Sequence, residues 1–168
     1  MSVQDLPSLP PGSDILIDAN IFIYAFTERS AQCRRLLDQC TSEGTSGTTT
    51  IEIVNEVCHR LMLTEAVTAG IISRPSALSL KRKPDAVKTL SRYWSLSESI
   101  FHLNLVIIPL NEVRVRLASR LRVEYGLLTT DSMLIAAARQ YRITSLASHD
   151  SDFHRIDDLT VYRPSDVN

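Results

Sequence analysis

The 168-residue chain is 44% hydrophobic and 22% charged, which suffices for one globular domain with a core and excludes disordered and repetitive architectures. Its 3 cysteines have no CxxC spacing, which argues against a disulfide framework and against a zinc site. The net charge of -1 gives no sign of nucleic-acid binding, and because an export signal and an apolar run of about 20 residues are both missing, we expect a cytoplasmic protein without a membrane segment.

The first half of the sequence predicts two strands and several helices. Residues 1–13, which include three prolines, predict a flexible lead-in to a single domain over residues 14–168. The continuous apolar run 15–17 predicts a central strand that is buried on both faces. A second strand, rich in β-branched residues, is expected to end near Thr50 and to lead into a helix. Residues 64–103, which two prolines interrupt, predict a helical insert.

The second half of the sequence predicts two further strands, over 105–108 and 143–147, with two helices between them. Asn111 is expected to cap the first of these helices, and Thr129 lies just before the second. Spacing predicts that the first helix turns its apolar residues inward and its arginines outward. The apolar residues are Val113, Leu117 and Leu121, and the arginines are Arg114, Arg116, Arg120 and Arg122. Alternation of strand and helix indicates an α/β domain with a mainly parallel sheet.

Four acidic residues lie close to the ends of predicted strands or in the helices that follow them. Asp18 directly follows the first strand, and Asp150 follows the last. Glu56 lies in the helix after the second strand, and Asp131 lies at the start of a later helix. Because ligands of an open parallel sheet collect outside the carboxyl ends of its strands, we expect these four carboxylates to share one pocket.

Four carboxylates in one pocket predict a metal ion, because they would raise one another's pKa values unless a cation neutralised them. Oxygen ligands without His or Cys are typical of Mg²⁺ or Mn²⁺. Such a site suits hydrolysis of a phosphodiester bond, in which a metal activates water and stabilises the leaving oxygen. The acidic pattern therefore indicates a metal-dependent nuclease that needs no protein nucleophile.

Four segments of the chain resemble those of PIN-domain ribonucleases, and are similar to the VapC-type toxins of prokaryotic toxin–antitoxin pairs. The segments are ILIDANIFIYAF, TTTIEIVNEVCHRLM, YGLLTTDSMLIAAARQYRI and LASHDSDFHRIDDLTVYRP. Each motif alone is weak, but all four occur in order between residues 15 and 164. The insert at 64–103 is longer than a minimal VapC toxin would have.

The resemblance implies a fold, an activity and partners. The expected fold is a three-layer α/β/α domain with a mainly parallel sheet of four or five strands and the helical insert. The expected activity is that of an endoribonuclease that uses Mg²⁺ or Mn²⁺, with RNA as substrate and Asp18, Glu56, Asp131 and Asp150 as metal-binding and catalytic residues. The resemblance also implies a homodimer and a cognate antitoxin.

Two of the four positions keep an alternative. Registration with the second motif of the family favours Glu56, while Glu52 lies one turn earlier on the same helix face and is the reserve. Asp150 lies nearest the strand end and is preferred to Asp152, which is expected to support the site or form a turn.

The remaining candidates have structural alternatives as well. Asp18 and Asp131 are each also suited to cap the helix that follows. Asn20 is expected either to cap a helix or to orient Asp18 or a water at the metal, and Ser148 is expected to hydrogen-bond such a water. His149 and His154 are left outside the site because the family does not need a histidine.

Basic residues occur in two places where RNA phosphates are expected to bind. One is the run Lys81, Arg82 and Lys83 in the insert, and the other is the arginine-rich helix with Arg114, Arg116 and Arg120. A solvated helix face or a basic loop would have the same composition.

Two other functions compete with the nuclease. A phosphotransferase of the haloacid-dehalogenase type requires a second Asp at the position of Asn20, so the sequence argues against it. A non-catalytic PIN-fold module that binds RNA or protein is the stronger alternative, although the presence of all four acids favours the enzyme. Four apolar residues of the insert, which support the expected homodimer, are Trp94, Leu96, Ile100 and Phe101.

Overall fold

The structure is a computed structural model that describes residues 2–42 and 44–167. Within those residues it contains six strands and eight α-helices in a three-layer α/β/α arrangement. The strands are β1 Ser2–Asp5, β2 Asp14–Ile17, β3 Ser46–Thr50, β4 Val106–Ile108, β5 Ser145–Ala147 and β6 Thr160–Arg163. The helices are α1 Ala19–Phe26, α2 Ala31–Thr41, α3 Ile51–Thr68, α4 Ala77–Lys81, α5 Pro84–Val87, α6 Arg92–Glu98, α7 Glu112–Tyr125 and α8 Thr129–Tyr141.

The sheet order β1-β6-β5-β2-β3-β4 places β2 near the centre. All five neighbouring pairs are parallel. From β2 the chain proceeds outward to β3 and β4 on one side, and then crosses to β5 and β6 on the other. The strand order therefore reverses between β2 and β5, and the crevice at such a switch point is where open α/β sheets bind ligands.

The predicted α/β class with its mainly parallel sheet is confirmed, and the sheet has six strands where four or five were expected. The central strand β2 is buried on both faces, since Ile15, Leu16 and Ile17 have no exposed surface. The two additional strands, β1 and β6, pair with each other in parallel.

The amino-terminal residues differ from the predicted lead-in. Ser2–Asp5 forms the edge strand β1, in register with Thr160–Arg163, and the hydroxyl of Ser2 donates to that of Thr160 at 3.0 Å. The following turn of 3-10 helix buries Leu6. Backbone pairing and the buried side chain of Leu6, just after the strand, hold β1 in place. Three of its four residues are exposed, so the strand has no hydrophobic pattern.

The insert packs on the second half of α3. Its helices α4 to α6 enclose a small separate core of Ala66, Ile72, Leu80 and Leu90. The carboxylate of Glu65 accepts hydrogen bonds from three successive backbone N–H groups at the start of α6, those of Ser91, Arg92 and Tyr93, at 2.7 to 3.2 Å. These contacts attach the insert to α3.

The inward face of α7 is the predicted one in part. Leu121 is buried and Leu117 packs against the core as expected, but Val113 is 67% exposed, and Arg114 and Ala118 are buried. The outward orientation expected for Arg114 is therefore wrong, because its guanidinium is buried against Glu52 on α3. Asn111 caps the helix as expected, since its side chain accepts a hydrogen bond from the backbone N–H of Arg114 at 2.9 Å.

Candidate active site

The site lies at the carboxyl edge of β2 and β5, at the switch point of the sheet. Asp18 follows β2 and caps α1, and the segment 148–150 follows β5. The backbone N–H of Asp18 donates to the carbonyl of Ala147 at 3.1 Å, which joins the two strand ends. Glu56, on the second turn of α3, and Asp131, in the first turn of α8, complete the group of predicted carboxylates.

The carboxylate of Asp18 is 6% exposed and is held by three donors. The backbone N–H of Ala19 donates to Oδ1 at 2.6 Å. The hydroxyl of Ser148 donates to Oδ2 at 2.6 Å, and the amide of Asn20 also donates to Oδ2. The structure thus places Asn20 on the carboxylate that it was predicted to orient, and adds Ser148, which was expected to hold a water at the metal; together they fix the rotation of the Asp18 side chain.

The same two residues organise the loop after β5. The hydroxyl oxygen of Ser148 accepts from the backbone N–H of Asp150 at 3.0 Å, and Oδ1 of Asn20 accepts from that of His149 at 2.9 Å. Asp150 in turn accepts from the backbone N–H of Asp152 at 2.8 Å and caps the short 3-10 helix Ser151–Arg155. The backbone of Asp152 belongs to this network, whereas its carboxylate forms an ion pair with Arg155 at 3.1 Å.

Electrostatic interactions couple the four predicted carboxylates. Burial, together with the charges of Glu56 and Asp131, raises the pKa of Asp18 to about 7, against the hydrogen bonds from Ser148 and Ala19. Burial also raises the pKa of Asp131 to about 6, together with the charges of Asp150, Glu56 and Asp152. Each of the four acids therefore acts on at least one other, which is the repulsion that the sequence predicted.

The carboxylates do not form a closed metal centre. Among residues 2–42 and 44–167, no three His, Cys, Asp or Glu side chains are grouped so that they would hold a metal ion. The expectation of one compact four-carboxylate pocket is therefore corrected to a looser arrangement. Oxygen donors in a loose arrangement still suit Mg²⁺, which keeps several of its waters and uses few protein carboxylates.

Comparison with known proteins identifies the family. The family model of the PIN domain matches residues 15–159, which is most of the chain. This protein belongs to the PIN domain family. Ribonuclease VapC6 of Methanocaldococcus jannaschii is 26% identical over 159 residues, which cover 90% of this chain and 97% of that protein.

Solved structures share the fold of this PIN domain. VapC20 of Mycobacterium tuberculosis, described as a sarcin-ricin loop cleaving toxin, superposes with a TM-score of 0.56 at 14% identity, over 83% of this chain and 92% of that one. A toxin–antitoxin complex from Klebsiella pneumoniae superposes with a TM-score of 0.52 at 19% identity, over 86% and 94%. At these identities the likeness establishes the shared fold.

The two candidate glutamates of this PIN domain have different surroundings. Both oxygens of Glu52 accept from Nη2 of the buried Arg114, at 2.8 and 2.9 Å. Within the part of the chain that the structure describes, the ion pair of Glu56 is an exposed one with Arg60, at 3.5 Å, and the charge of Glu56 acts on both Asp18 and Asp131. Both glutamates line the same pocket, but the buried ion pair of Glu52 favours Glu56 as the acid that is available to the site.

Asp131 is the third residue of α8 and is not its N-cap. The N-cap position is Leu128, which makes no side-chain capping bond. The prediction that Asp131 caps the helix is therefore wrong, because α8 begins two residues before it, at Thr129. A carboxylate in the first turn still interacts favourably with the helix dipole, by about 0.3–1 kcal/mol.

Two pockets open beside the acids, and together they contain residues that the sequence analysis missed. The larger, about 870 Å³, contains Glu56 and Asp131 together with Asn55 and His59, and has the exposed apolar residue Leu128 at its wall. The smaller, about 390 Å³, is lined by Asn20, Asp150, Tyr24, Arg60, His149 and Arg163, and we call it the basic pocket. His59 and Arg60 follow Glu56 by three and four residues, so helical periodicity would have indicated both.

The raised pKa values predict how stability depends on pH in chelator. The pKa of Asp131 is about 6 in the folded protein and about 3.9 in an unfolded chain. The folded state therefore binds this proton more tightly, and the stabilisation that results is present below about pH 4 and is lost as pH rises through about 6. We expect Asp131→Asn to gain stability relative to the parent between pH 5 and pH 8, by about 1–2 kcal/mol after solvent screening. Urea unfolding at both pH values measures this, and parallel pH profiles would contradict it.

Proposed function

We propose that this PIN domain is a metal-dependent endoribonuclease, the toxin of a toxin–antitoxin pair. One observation carries the proposal: four carboxylates from distant segments repel one another at the switch point of a parallel sheet. Repulsion of this kind costs stability and is relieved when a cation binds. Two similar proteins, ribonuclease VapC6 and a toxin that cleaves the sarcin-ricin loop, support RNA as the substrate.

Asp18, Glu56, Asp131 and Asp150 would hold Mg²⁺ or Mn²⁺, and Asp152 is the alternative to Asp150. When bound, the metal would supply the positive charge that activates water toward the phosphorus atom and stabilises the leaving oxygen. Asn20 and Ser148 fix the Asp18 carboxylate, so that it needs little rearrangement to act as a ligand.

In this proposal the side chains position the metal and form no covalent bond with the substrate. Asp18 and Asp150 are tied to each other through Ser148, and Asp131 and Glu56 face them from two helices. Negative side chains on both sides of the crevice would thus hold the metal against one phosphodiester group. The phosphorus–oxygen bond would be broken by water, without a nucleophilic side chain.

Incubation of the purified protein with single-stranded RNA and Mn²⁺ tests the proposal, with parallel reactions in chelator. We expect internal cleavage that chelator abolishes. Tight RNA binding without cleavage would instead support the alternative, a non-catalytic PIN-fold module.

An antitoxin is the proposed protein partner. The Klebsiella pneumoniae structure with the same fold is a toxin–antitoxin complex, and it supports this proposal. A small neighbouring gene that encodes a DNA-binding protein is expected, and co-expression of the two products should suppress RNA cleavage. A chain encoded alone would favour a processing nuclease.

The basic insert is a second proposed RNA contact. Lys81 and Arg82 are exposed, and Leu80 packs beside Ala66, which lies ten residues beyond Glu56, or about 15 Å along α3. Replacement of Lys81, Arg82 and Lys83 by Ala should weaken RNA binding and reduce the salt dependence of its affinity, by about 0.7 per lost phosphate contact. Fluorescence anisotropy in chelator from 50 to 200 mM salt (about the range where phosphate contacts matter) measures both. An unchanged slope would leave Arg116 and Arg120 as the better candidates.

The predicted RNA contact of Arg114 is wrong, because its side chain has no exposed surface. Arg116 remains exposed, and among the described residues its ion pair is with Glu112 on the same helix, at 2.6 Å. Exposed pairs of this kind are worth at most about 1 kcal/mol, so Arg116 is free to exchange its partner for a phosphate.

A homodimer remains a prediction, but fewer of the four apolar residues named for it are exposed. Ile100 is buried and Leu96 packs against the core, whereas Trp94 and Phe101 are each 50% exposed. We expect Trp94→Ser to shift the protein toward a monomer, measured by light scattering at micromolar concentration. A monomeric mass of the parent at every concentration would remove the dimer.

The part of the chain that the structure describes contains no helix that is both long and apolar enough to cross a membrane.

A further inference from the structure

The basic pocket lies directly beside the acidic site. Asn20, which holds Asp18, and Asp150 form one side of it. Three groups able to donate to an anion, on Arg60, His149 and Arg163, form the other. Cations at the edge of a group of carboxylates oppose the repulsion that a polyanionic substrate would otherwise meet there.

Arg163 is the central residue of the basic pocket. It is the last residue of β6, so it emerges at the same edge of the sheet as Asp18 and Asp150. Its Nη2 lies 3.1 Å from Nε2 of His149. Since a guanidinium only donates, Nε2 of His149 must be the acceptor, which makes the partner of Arg163 a neutral ring. Within residues 2–42 and 44–167, no carboxylate oxygen lies within the 4.0 Å of an ion pair with Arg163.

His149 is itself fixed in place. Its backbone N–H donates to Asn20, and its ring meets that of Tyr24 edge to face at 5.6 Å. The guanidinium of Arg163 is thereby held at a defined place beside the acids, although its charge is not neutralised. A preorganised and incompletely neutralised guanidinium is suited to binding a phosphate, for which its donors match two oxygens.

Arg60 supplies the second charge. It follows Glu56 by one helical turn, and the 3.5 Å pair between them is exposed on both sides, at 45% and 30%. Such a pair contributes little to stability, so Arg60 can leave Glu56 when an anion arrives. Arg60 and Glu56 line neighbouring pockets, and a strand that crosses the acidic site would therefore pass from one to the other.

We propose that the basic pocket binds an internal phosphate of the RNA strand, adjacent to the phosphate that is cleaved, through Arg163 and Arg60. This inference rests on the proposed function for the identity of the strand. It assigns to the pocket a role in substrate binding and register, separate from the chemistry at the four acids.

The test measures RNA binding in chelator, where cleavage does not interfere. The probe is a fluorescently labelled single-stranded RNA oligonucleotide, followed by anisotropy over a series of salt concentrations. Arg163→Ala and Arg60→Ala should each raise Kd by about tenfold at low salt and reduce the salt slope by about 0.7. Arg163→Lys should retain most of the slope, because it keeps the charge and loses only the forked geometry.

Arg34→Ala is the matched control. Arg34 is also in an exposed pair with an acid four residues away, Asp38 at 3.2 Å, but it lies on α2 and lines neither pocket. We expect it to leave Kd and the salt slope unchanged. In cleavage assays with Mn²⁺, Arg60→Ala should raise KM more than it lowers kcat, because the residue binds the strand and does not take part in the chemistry.

The outcomes separate this inference from the proposed function. Unchanged binding in both Arg163→Ala and Arg60→Ala, while the parent cleaves RNA, would overturn the basic pocket as a phosphate site and leave the nuclease intact. Binding that depends on the two arginines in a protein that never cleaves would support the pocket and overturn the nuclease. A parent that binds no RNA would overturn the inference, and loss of binding in Arg34→Ala to the same extent would also overturn it.

Discussion

Replacing Asp131 by Asn is expected to abolish RNA cleavage and to leave the metal-free protein at least as stable as the parent. Loss of activity should reach about 100-fold or more, since changes even to the partners of metal ligands cost 10- to 100-fold. An amide oxygen replaces a charged ligand, and the attraction between the site and a divalent cation falls accordingly.

The stability of the variant follows from the electrostatics of the site. Burial disfavours the charged form of Asp131 most, the charges of Asp150, Glu56 and Asp152 add to this, and the charge of Arg155 opposes it. Removal of the Asp131 charge relieves about 1–2 kcal/mol of desolvation and repulsion at pH 8, against a loss of about 0.3–1 kcal/mol from the helix dipole. Because Leu128 and not Asp131 is the N-cap of α8, no capping bond is lost. The net change is expected to lie between zero and about 2 kcal/mol of stabilisation.

Thermal melts in chelator and in Mn²⁺ decide between this role and a structural one. Binding of a ligand to the folded state alone stabilises it, by about 2.7 kcal/mol at a hundred times Kd, so the parent should gain more from Mn²⁺ than the variant. Asp157→Asn serves as the control, since Asp157 is exposed and lies outside both pockets. Equal Mn²⁺-induced shifts in the parent and Asp131→Asn would place Asp131 outside the site, and so would undiminished cleavage.

The location of the site was predictable because it depends on strand ends. A buried apolar strand such as β2 is readily recognised from its sequence, and the polar residue after it must lie at the edge of the sheet. Asp18 and Asp150 follow from this rule. The support of Asp18 by Asn20 was predicted from the family motif. Its support by Ser148 was not predicted, because that bond depends on the side-by-side arrangement of β2 and β5.

What was missed depends on contacts between distant segments. Strand β1 is a polar edge strand, and its pairing with β6 is invisible to hydrophobic pattern. Because β6 was not predicted, Arg163 at its end was not considered as part of the site. At the start of α7, Arg114 lies inward in place of Val113, and the partner that permits this, Glu52, lies 62 residues earlier in the chain.

The buried pair of Glu52 and Arg114 should matter for stability and not for cleavage. Arg114 has no exposed surface, and its Nε and Nη1 have no hydrogen-bond partner within the described ranges. Its buried charge is therefore compensated by the hydrogen bonds from Nη2 to the carboxylate of Glu52. Removing one partner of a buried pair leaves an uncompensated charge, which typically costs about 3–5 kcal/mol. Because the side chain of Glu52 is 17% exposed, we expect Glu52→Ala to cost about 3 kcal/mol, near the lower end of that range.

Glu56→Ala is the matched variant, one turn away on the same helix. Its exposed pair with Arg60 is worth at most about 1 kcal/mol, so it should change urea unfolding little and yet abolish cleavage. Glu52→Ala should do the opposite, with cleavage retained at temperatures where it is folded. The double variant Glu52→Leu with Arg114→Met should recover most of the lost stability, because a neutral pair of similar volume carries no desolvation cost. Loss of cleavage in that folded double variant would instead assign Glu52 to the metal, and would return Glu56 to the role of a solvated helix acid.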